Sequence, residues 1–164
     1  VDAAERLIRD IFPVVRQRLP GLTLYVVGDH PHQRLVRLAG DGVIFTGLVP
    51  DLRPYLDRAA VCVFPLRLGG GMRVKVLEAL AAGKATVASP LAAEGLYLQD
   101  GEQLALAESD EQFVTVLFDL LGDPKRRRHL ATRARAWACA NLRWEDTIKA
   151  YEALHTQLIE NGRA

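Results

Sequence analysis

The stretch Phe64–Gly83, FPLRLGGGMRVKVLEALAAG, decides how the chain is read. An apolar run ending at Phe64 passes into three consecutive glycines, Gly69, Gly70 and Gly71, and a helical segment opens at once with Arg73 and Lys75. Glycine lets backbone N–H groups approach a ligand closely, and the first amides of a helix have no intrahelical acceptors. Together with the positive end of the helix dipole, this suits an anion such as a phosphate. Glu78 stands on the second turn, three residues after Lys75 and four after Val74, so these positions share one flank. A ligand seated at the helix start can therefore reach a carboxylate able to accept hydrogen bonds from hydroxyl groups. The alternative is a plain glycine-rich connection followed by an amphipathic helix with a Lys75–Glu78 ion pair on its surface. A run of glycines alone does not decide between the two.

Outward from this segment, strand and helix patterns alternate. Upstream, Leu7, Ile8, Ile11, Val14, Val15 and Leu19 give a helical period over Ala3 to Leu19. Leu22 to Val27 is a short apolar strand stopped by Gly28, and its lack of polar alternation predicts burial on both faces. A short helix is expected over Pro31 to Leu38, and a second strand over Val43 to Thr46, closed by Gly47. Asp51 is the expected N-cap of a helix through Arg58, with Pro54 in its first turn. Val61 to Phe64 makes a third buried strand. Downstream, Gly83 stands where a helix C-terminal glycine belongs, and strands are expected at Ala85–Ala88 and, more weakly, at Leu104–Leu106. Ser109 and Gln112 have the spacing of a capping box, Asp123 caps a further helix to about Ala140, and a last helix runs from Trp144 to about Ile159. Such alternation predicts an α/β fold: a doubly wound, Rossmann-like parallel sheet with helices on both faces. Ligands of such sheets bind beyond the carboxyl ends of the strands, where the glycine segment lies.

Composition bounds the rest. The 164 residues fit one domain, 49% hydrophobic and 25% charged, with a net charge of +1 that gives no general attraction to nucleic acid. The basic cluster Lys125 to Arg128, with Arg133 and Arg135, reads as a solvated helix face. Cys62 and Cys139 lack metal-ligand spacing, which implies reduced thiols and a cytoplasmic protein. No run approaches the ~18 uninterrupted apolar residues of a membrane span. His30 and His32 have no carboxylate or cysteine partner nearby and read as surface histidines, so no metal is expected. Trp137 and Trp144 read as packing residues, and Glu94-Gly95, following Ser89-Pro90, either lines the cleft or forms a plain turn. No Ser/His/Asp or Cys/His arrangement emerges.

Phe64-Pro65, the glycine segment, Leu77 to Gly83 and Ala85 to Ser89 together resemble the nucleotide-sugar-binding half of retaining glycosyltransferases of the GT-B fold. The likeness is to their fourth family, often called glycosyl transferases group 1. It extends over Leu24–Gly28, Val43–Gly47, Pro54-Tyr55-Leu56, Asp100-Gly101-Glu102 and Trp144-Glu145, which is nearly the whole chain. The resemblance implies a donor-binding domain spanning residues 1–164 that takes a UDP- or GDP-sugar. It implies transfer without a metal or other cofactor, to a saccharide or lipid-linked acceptor, in polysaccharide or glycolipid synthesis. Glu78 matches the glutamate that binds the donor ribose. Arg73, Val74 and Lys75, with Gly70, Gly71 and Met72 before them, match the segment whose amides meet the phosphates. Gly47 and Val49 match the loop lying against the base, and Gly28 the glycine ending a strand beside the cleft.

There are two departures. The first glutamate of the family's pair, which contacts the transferred sugar, falls at Gly70, eight residues before Glu78. This feature favours the other reading, a non-catalytic nucleotide-binding or interaction module. Relatives also begin this domain with a central strand, and precede it with an acceptor-binding half. The resemblance thus implies part of a two-domain enzyme working in the cytoplasm or at the inner membrane face, itself inactive in transfer, with open sheet edges that invite self-association.

Overall fold

The computed structural model describes residues 2–29, 31–38 and 40–161, so His30 lies outside the described residues. Its elements are α1 (Asp2–Arg6), a π-helical turn (Leu7–Ile11), α2 (Phe12–Arg18), β1 (Leu24–Val27), α3 (Gln33–Leu38), β2 (Val43–Gly47) and α4 (Arg53–Arg58). They continue as β3 (Cys62–Phe64), α5 (Val74–Ala81), β4 (Thr86–Ala88), α6 (Pro90–Ala93), β5 (Ala105–Leu106), α7 (Asp110–Gly122), α8 (Pro124–Asn141) and α9 (Trp144–Asn161).

The local signals act where the residue chemistry places them. Ser109 and Gln112 form a reciprocal capping box at α7, and the Asp123 side chain accepts the amides of Lys125 and Arg126 at the start of α8. The Arg126 and Lys125 amides hold the Asp123 carboxyl below its ordinary range. Gly83 follows α5 at φ +64°, the left-handed conformation that ends helices at low cost for glycine. Two expectations are corrected. The first helix is not continuous, because Pro13 has no N–H to give to the carbonyl four residues back and its ring crowds that carbonyl. The chain widens into the π turn just before it, with the Phe12 amide bonding the Leu7 carbonyl. At α4 the N-cap is Leu52; Asp51 lies one residue further out and accepts the Arg53 amide at 2.9 Å from outside the helix.

The strands form two parallel sheets, β1–β2 and β3–β4–β5. Val27 pairs with Gly47 in the first, and Phe64 with Ala88 in the second. The second sheet is wound on both faces. Val87 joins a core with Leu7, Ile11 and Val15 from the first helix and Phe113, Leu117 and Leu120 from α7. Its neighbour Ala88 joins another core with Val76 and Leu80 of α5, Ala92 of α6, and Ala134 and Ala138 of α8. Among the described residues no ladder joins β1 to β3, yet Leu24 of β1 and Val63 of β3 pack against the same core.

The expected burial of the Leu22–Val27 and Val61–Phe64 strands is corrected: β1 is half-buried with Tyr25 exposed, and β3 is half-buried at all three positions, whereas β4 is buried throughout. Tyr25 is 41% and Ile44 43% exposed, and the Tyr55 ring of the short α4 lies 6.1 Å from that of Tyr25. Trp137 packs against the α5–α8 core as expected. Trp144 does not: it opens α9, which is exposed along its whole length, and is itself 75% exposed. Among the described residues no helix is long and apolar enough to cross a membrane.

Candidate functional site

The helix that opens the chain shows that the carboxyl ends of both sheets face one side. Glu5 of α1 pairs with Arg34, which follows β1, at 2.9 Å, and Asp2 pairs with Arg67, which follows β3, at 3.4 Å. Between them Arg6, only 3% exposed, donates to the carbonyls of Pro65 after β3 and Glu108 after β5 and to the Asp110 carboxylate. The phenyl ring of Phe113 lies under its guanidinium at 5.1 Å. One buried cation thus gathers the loops at the strand ends, its charge met by oxygen ligands and an aromatic face.

The glycine loop is tied to the loop after β4 by a serine. The Ser89 amide donates to the Phe64 carbonyl at 3.0 Å, and its hydroxyl donates to the Leu66 carbonyl at 2.7 Å. The same oxygen accepts the Ala92 amide at 3.2 Å as the N-cap of α6. From there the chain runs over the exposed residues 67–72, with Leu68 and Met72 75% and 77% exposed, and turns into α5. Gly71 adopts φ +82°, which explains a glycine at that point. Gly70 does not need to be glycine: its φ is ordinary and a Cβ there would meet nothing within 4 Å.

Arg73 and Lys75 part company. Lys75, Val74 and Glu78 all lie on the exposed flank of α5. Among the described residues no hydrogen bond or ion pair links Lys75 to Glu78, so the surface pair of the plainer reading is not formed. Arg73 turns inward. Its Nε donates to the Leu91 carbonyl at 2.9 Å, and its Nη2 lies 3.5 Å from the Gly69 carbonyl and 3.3 Å from the Glu94 carboxylate. Gly28 directly follows β1 and is exposed; Gly47, at φ +66°, ends β2; Val49 is half-buried beside exposed Leu48. The structure therefore sets the segment Gly70–Glu78 on the rim of one sheet and Gly28, Gly47 and Val49 on the rim of the other.

Two residues of this rim were not singled out as binding groups: Ser89, whose position before Pro90 is a readable cap signal, and Arg6, which nothing in the sequence marks. Elsewhere, a cavity of ≈490 Å³ between α2 and the α3–β2 connection is lined by Phe12, Arg16, Leu38 and Asp41, at the amino end of β2 and away from the rim. Among the described residues no three of His, Cys, Asp and Glu converge as a metal-binding group.

These elements form a doubly wound parallel α/β domain with a glycine loop, a helix N-terminus and an outward carboxylate at its strand ends, an architecture shared with the C-terminal domains of GT-B glycosyltransferases. The family model for glycosyl transferases group 1 matches residues 1–123, and the chain belongs to that family. It is 30% identical to the GDP-mannose-dependent alpha-(1-6)-phosphatidylinositol monomannoside mannosyltransferase of Mycolicibacterium smegmatis, over 85% of this chain and 41% of that protein. Among solved structures, sucrose-phosphate synthase from Thermosynechococcus elongatus superposes with a TM-score of 0.80 at 23% identity, over 97% of this chain and 43% of that one. HepE of Anabaena, in complex with UDP-glucose, superposes with a TM-score of 0.79 at 18% identity, over 95% and 46%. The chain thus spans less than half the length of each of these proteins.

Proposed function

We propose that this chain is the donor-binding portion, residues 1–164, of a glycosyltransferase that moves a sugar from a nucleoside diphosphate to a saccharide or lipid-linked acceptor. The observation that carries the reading is the exposed flank of α5. Val74 and Lys75 stand in the first turn, and Glu78 one turn further, beyond a glycine loop with open space around it. The opening amides of α5 and the Lys75 ammonium bind the diphosphate, and Glu78 accepts the ribose hydroxyls. Gly28, Gly47 and Val49 line the side where the nucleotide base lies. Arg73, held inward by Leu91, Gly69 and Glu94, shapes the loop that presents these amides.

The names of the relatives support a nucleotide-sugar donor: one depends on GDP-mannose, and another was crystallised with UDP-glucose. The resemblance implies transfer with retention and without a metal; in this reading donors and dipoles fixed at the rim stabilise the departing diphosphate. The setting is cytoplasmic polysaccharide or glycolipid synthesis. Gly70, in place of a sugar-contacting glutamate, favours one other reading, a nucleotide-binding module without transfer.

Calorimetric titration of UDP, GDP, UDP-glucose and GDP-mannose tests the reading. At least one pair binds, and Glu78→Ala weakens both members of that pair roughly tenfold, the loss expected for hydrogen bonds to a charged group. Absence of binding by the folded chain, or indifference to Glu78→Ala, overturns it.

A further inference from the structure

Resting on the donor-binding reading, we propose that Glu94 supplies the carboxylate that contacts the sugar of the donor, in place of the one absent at Gly70. The glycine loop carries no acidic side chain of its own between Phe64 and Leu77. The structure brings one to it from the next crossover. β3 and β4 are hydrogen-bonded neighbours, and Ser89 fastens the loop that follows each. Arg73 then completes the link: the same Nη2 lies 3.3 Å from Glu94 Oε2 and 3.5 Å from the Gly69 carbonyl. A guanidinium only 7% exposed thus reaches the residue preceding Gly70 and a carboxylate that is itself 70% exposed.

The asymmetry of this pair points to a ligand. An exposed carboxylate adds little to stability by pairing with a cation that already has carbonyl partners. Its second oxygen, Oε1, has no partner among the described residues, while Oε2 is fixed by Arg73. One oxygen is anchored and the other carries no protein partner among the described residues, an arrangement in which a carboxylate can accept hydrogen bonds from the hydroxyls of a sugar. Gly70 puts no side chain in the way, a Cβ there would meet nothing within 4 Å, and residues 67–72 are exposed, so the loop is open to a ligand from solvent. Arg73 is then a positioning residue, acting through Glu94 and the loop rather than on the phosphates.

The test separates the sugar from the rest of the donor. The folded 164-residue chain and its Glu94→Ala and Glu94→Gln variants are titrated with UDP-glucose and UDP, and with GDP-mannose and GDP. The expected result is a loss of roughly tenfold or more in affinity of Glu94→Ala for the sugar nucleotide that binds. The matching diphosphate should lose clearly less, since Arg73 keeps its Leu91 and Gly69 carbonyl partners in the variant, and Glu94→Gln should fall between for the sugar nucleotide. Equal losses on diphosphate and sugar nucleotide would reduce Glu94 to a structural partner of Arg73, and no loss on either overturns the proposal outright. If the wild-type chain binds none of the four, the donor-binding reading has failed and this inference falls with it.

Discussion

The two sheets are built from similar sequence and end up in different environments. β4 carries Thr86, Val87 and Ala88, all fully buried, with helices of the chain on both sides. β1 and β2 are as apolar, with Val26, Val27, Val43, Ile44 and Phe45, yet Tyr25 and Ile44 are exposed and the other positions only half-buried. An apolar strand therefore reports that it can be buried, not that its own chain supplies the cover. Burial is decided by the long elements: α7, of 13 residues, packs on β4 from one side and α8, of 18, backs α5 on the other, while α4, whose Tyr55 ring meets Tyr25 of β1, has six. The half with the thick cover also carries the glycine loop and Glu78.

The difference is broken most directly by truncating one residue in each half. Phe113→Ala removes a side chain with no exposure from the core over β4 and should cost about 3–5 kcal/mol in denaturant unfolding. Ile44→Ala, at a position 43% exposed, should cost less, about 1–2 kcal/mol, since only about half of its area leaves water on folding. Similar losses at both sites would mean the β1–β2 half is covered in solution in a way the fold does not show.

A smaller effect comes from Cys62 on β3, at the boundary between the halves. Burial pushes its thiol from 9.0 up to about 11, opposed only weakly by Lys84. Because the folded state holds the proton more tightly than the unfolded chain, this stabilisation is complete below pH ~9 and disappears as pH rises toward ~11. Stability should therefore fall by on the order of 1–2 kcal/mol over that range, and Cys62→Ala should flatten the local drop in a pH series of melts. An unchanged slope in the variant would show that folding does not shield the Cys62 thiol from water. The smallest effect is at Ser89. Ser89→Ala loses the N-cap of α6 and the tie to Leu66, about 1 kcal/mol. Its sharper signature is faster hydrogen exchange confined to the loop 65–72, the slow rest of the second sheet serving as reference.

Most of the fold is legible in the chain because its signals are local. A capping box, an aspartate before Pro124 and a glycine after α5 each act within a turn of where they stand. Glu78 and the helix start are legible for the same reason: spacing alone puts Val74, Lys75 and Glu78 on one flank. What is not legible depends on partners far along the chain. The inward turn of Arg73 depends on Leu91 and Glu94, 18 and 21 residues away, and the sequence shows it only as a cation beside another cation. Arg6 is an extreme case, with partners 59 to 104 residues distant. Asp51 misleads by a single residue, because an Asx turn and an N-cap use the same side chain chemistry at adjacent positions.

The π turn before Pro13 has a consequence for how the rim is aligned. Such a turn is an α-helix carrying one residue more than its ladder needs, and each residue of a helix advances the face by about 100°. In this register Leu7, Ile8, Ile11, Phe12 and Val15 all face inward, and so does Arg6. Deleting one residue between Arg9 and Phe12 would give a more regular helix and swing Asp2–Arg6 by roughly that angle, carrying Arg6 off Pro65, Glu108 and Asp110. The extra residue works as an indexing tooth, setting the start of the chain to the angle at which a single guanidinium can clasp three loop-end groups.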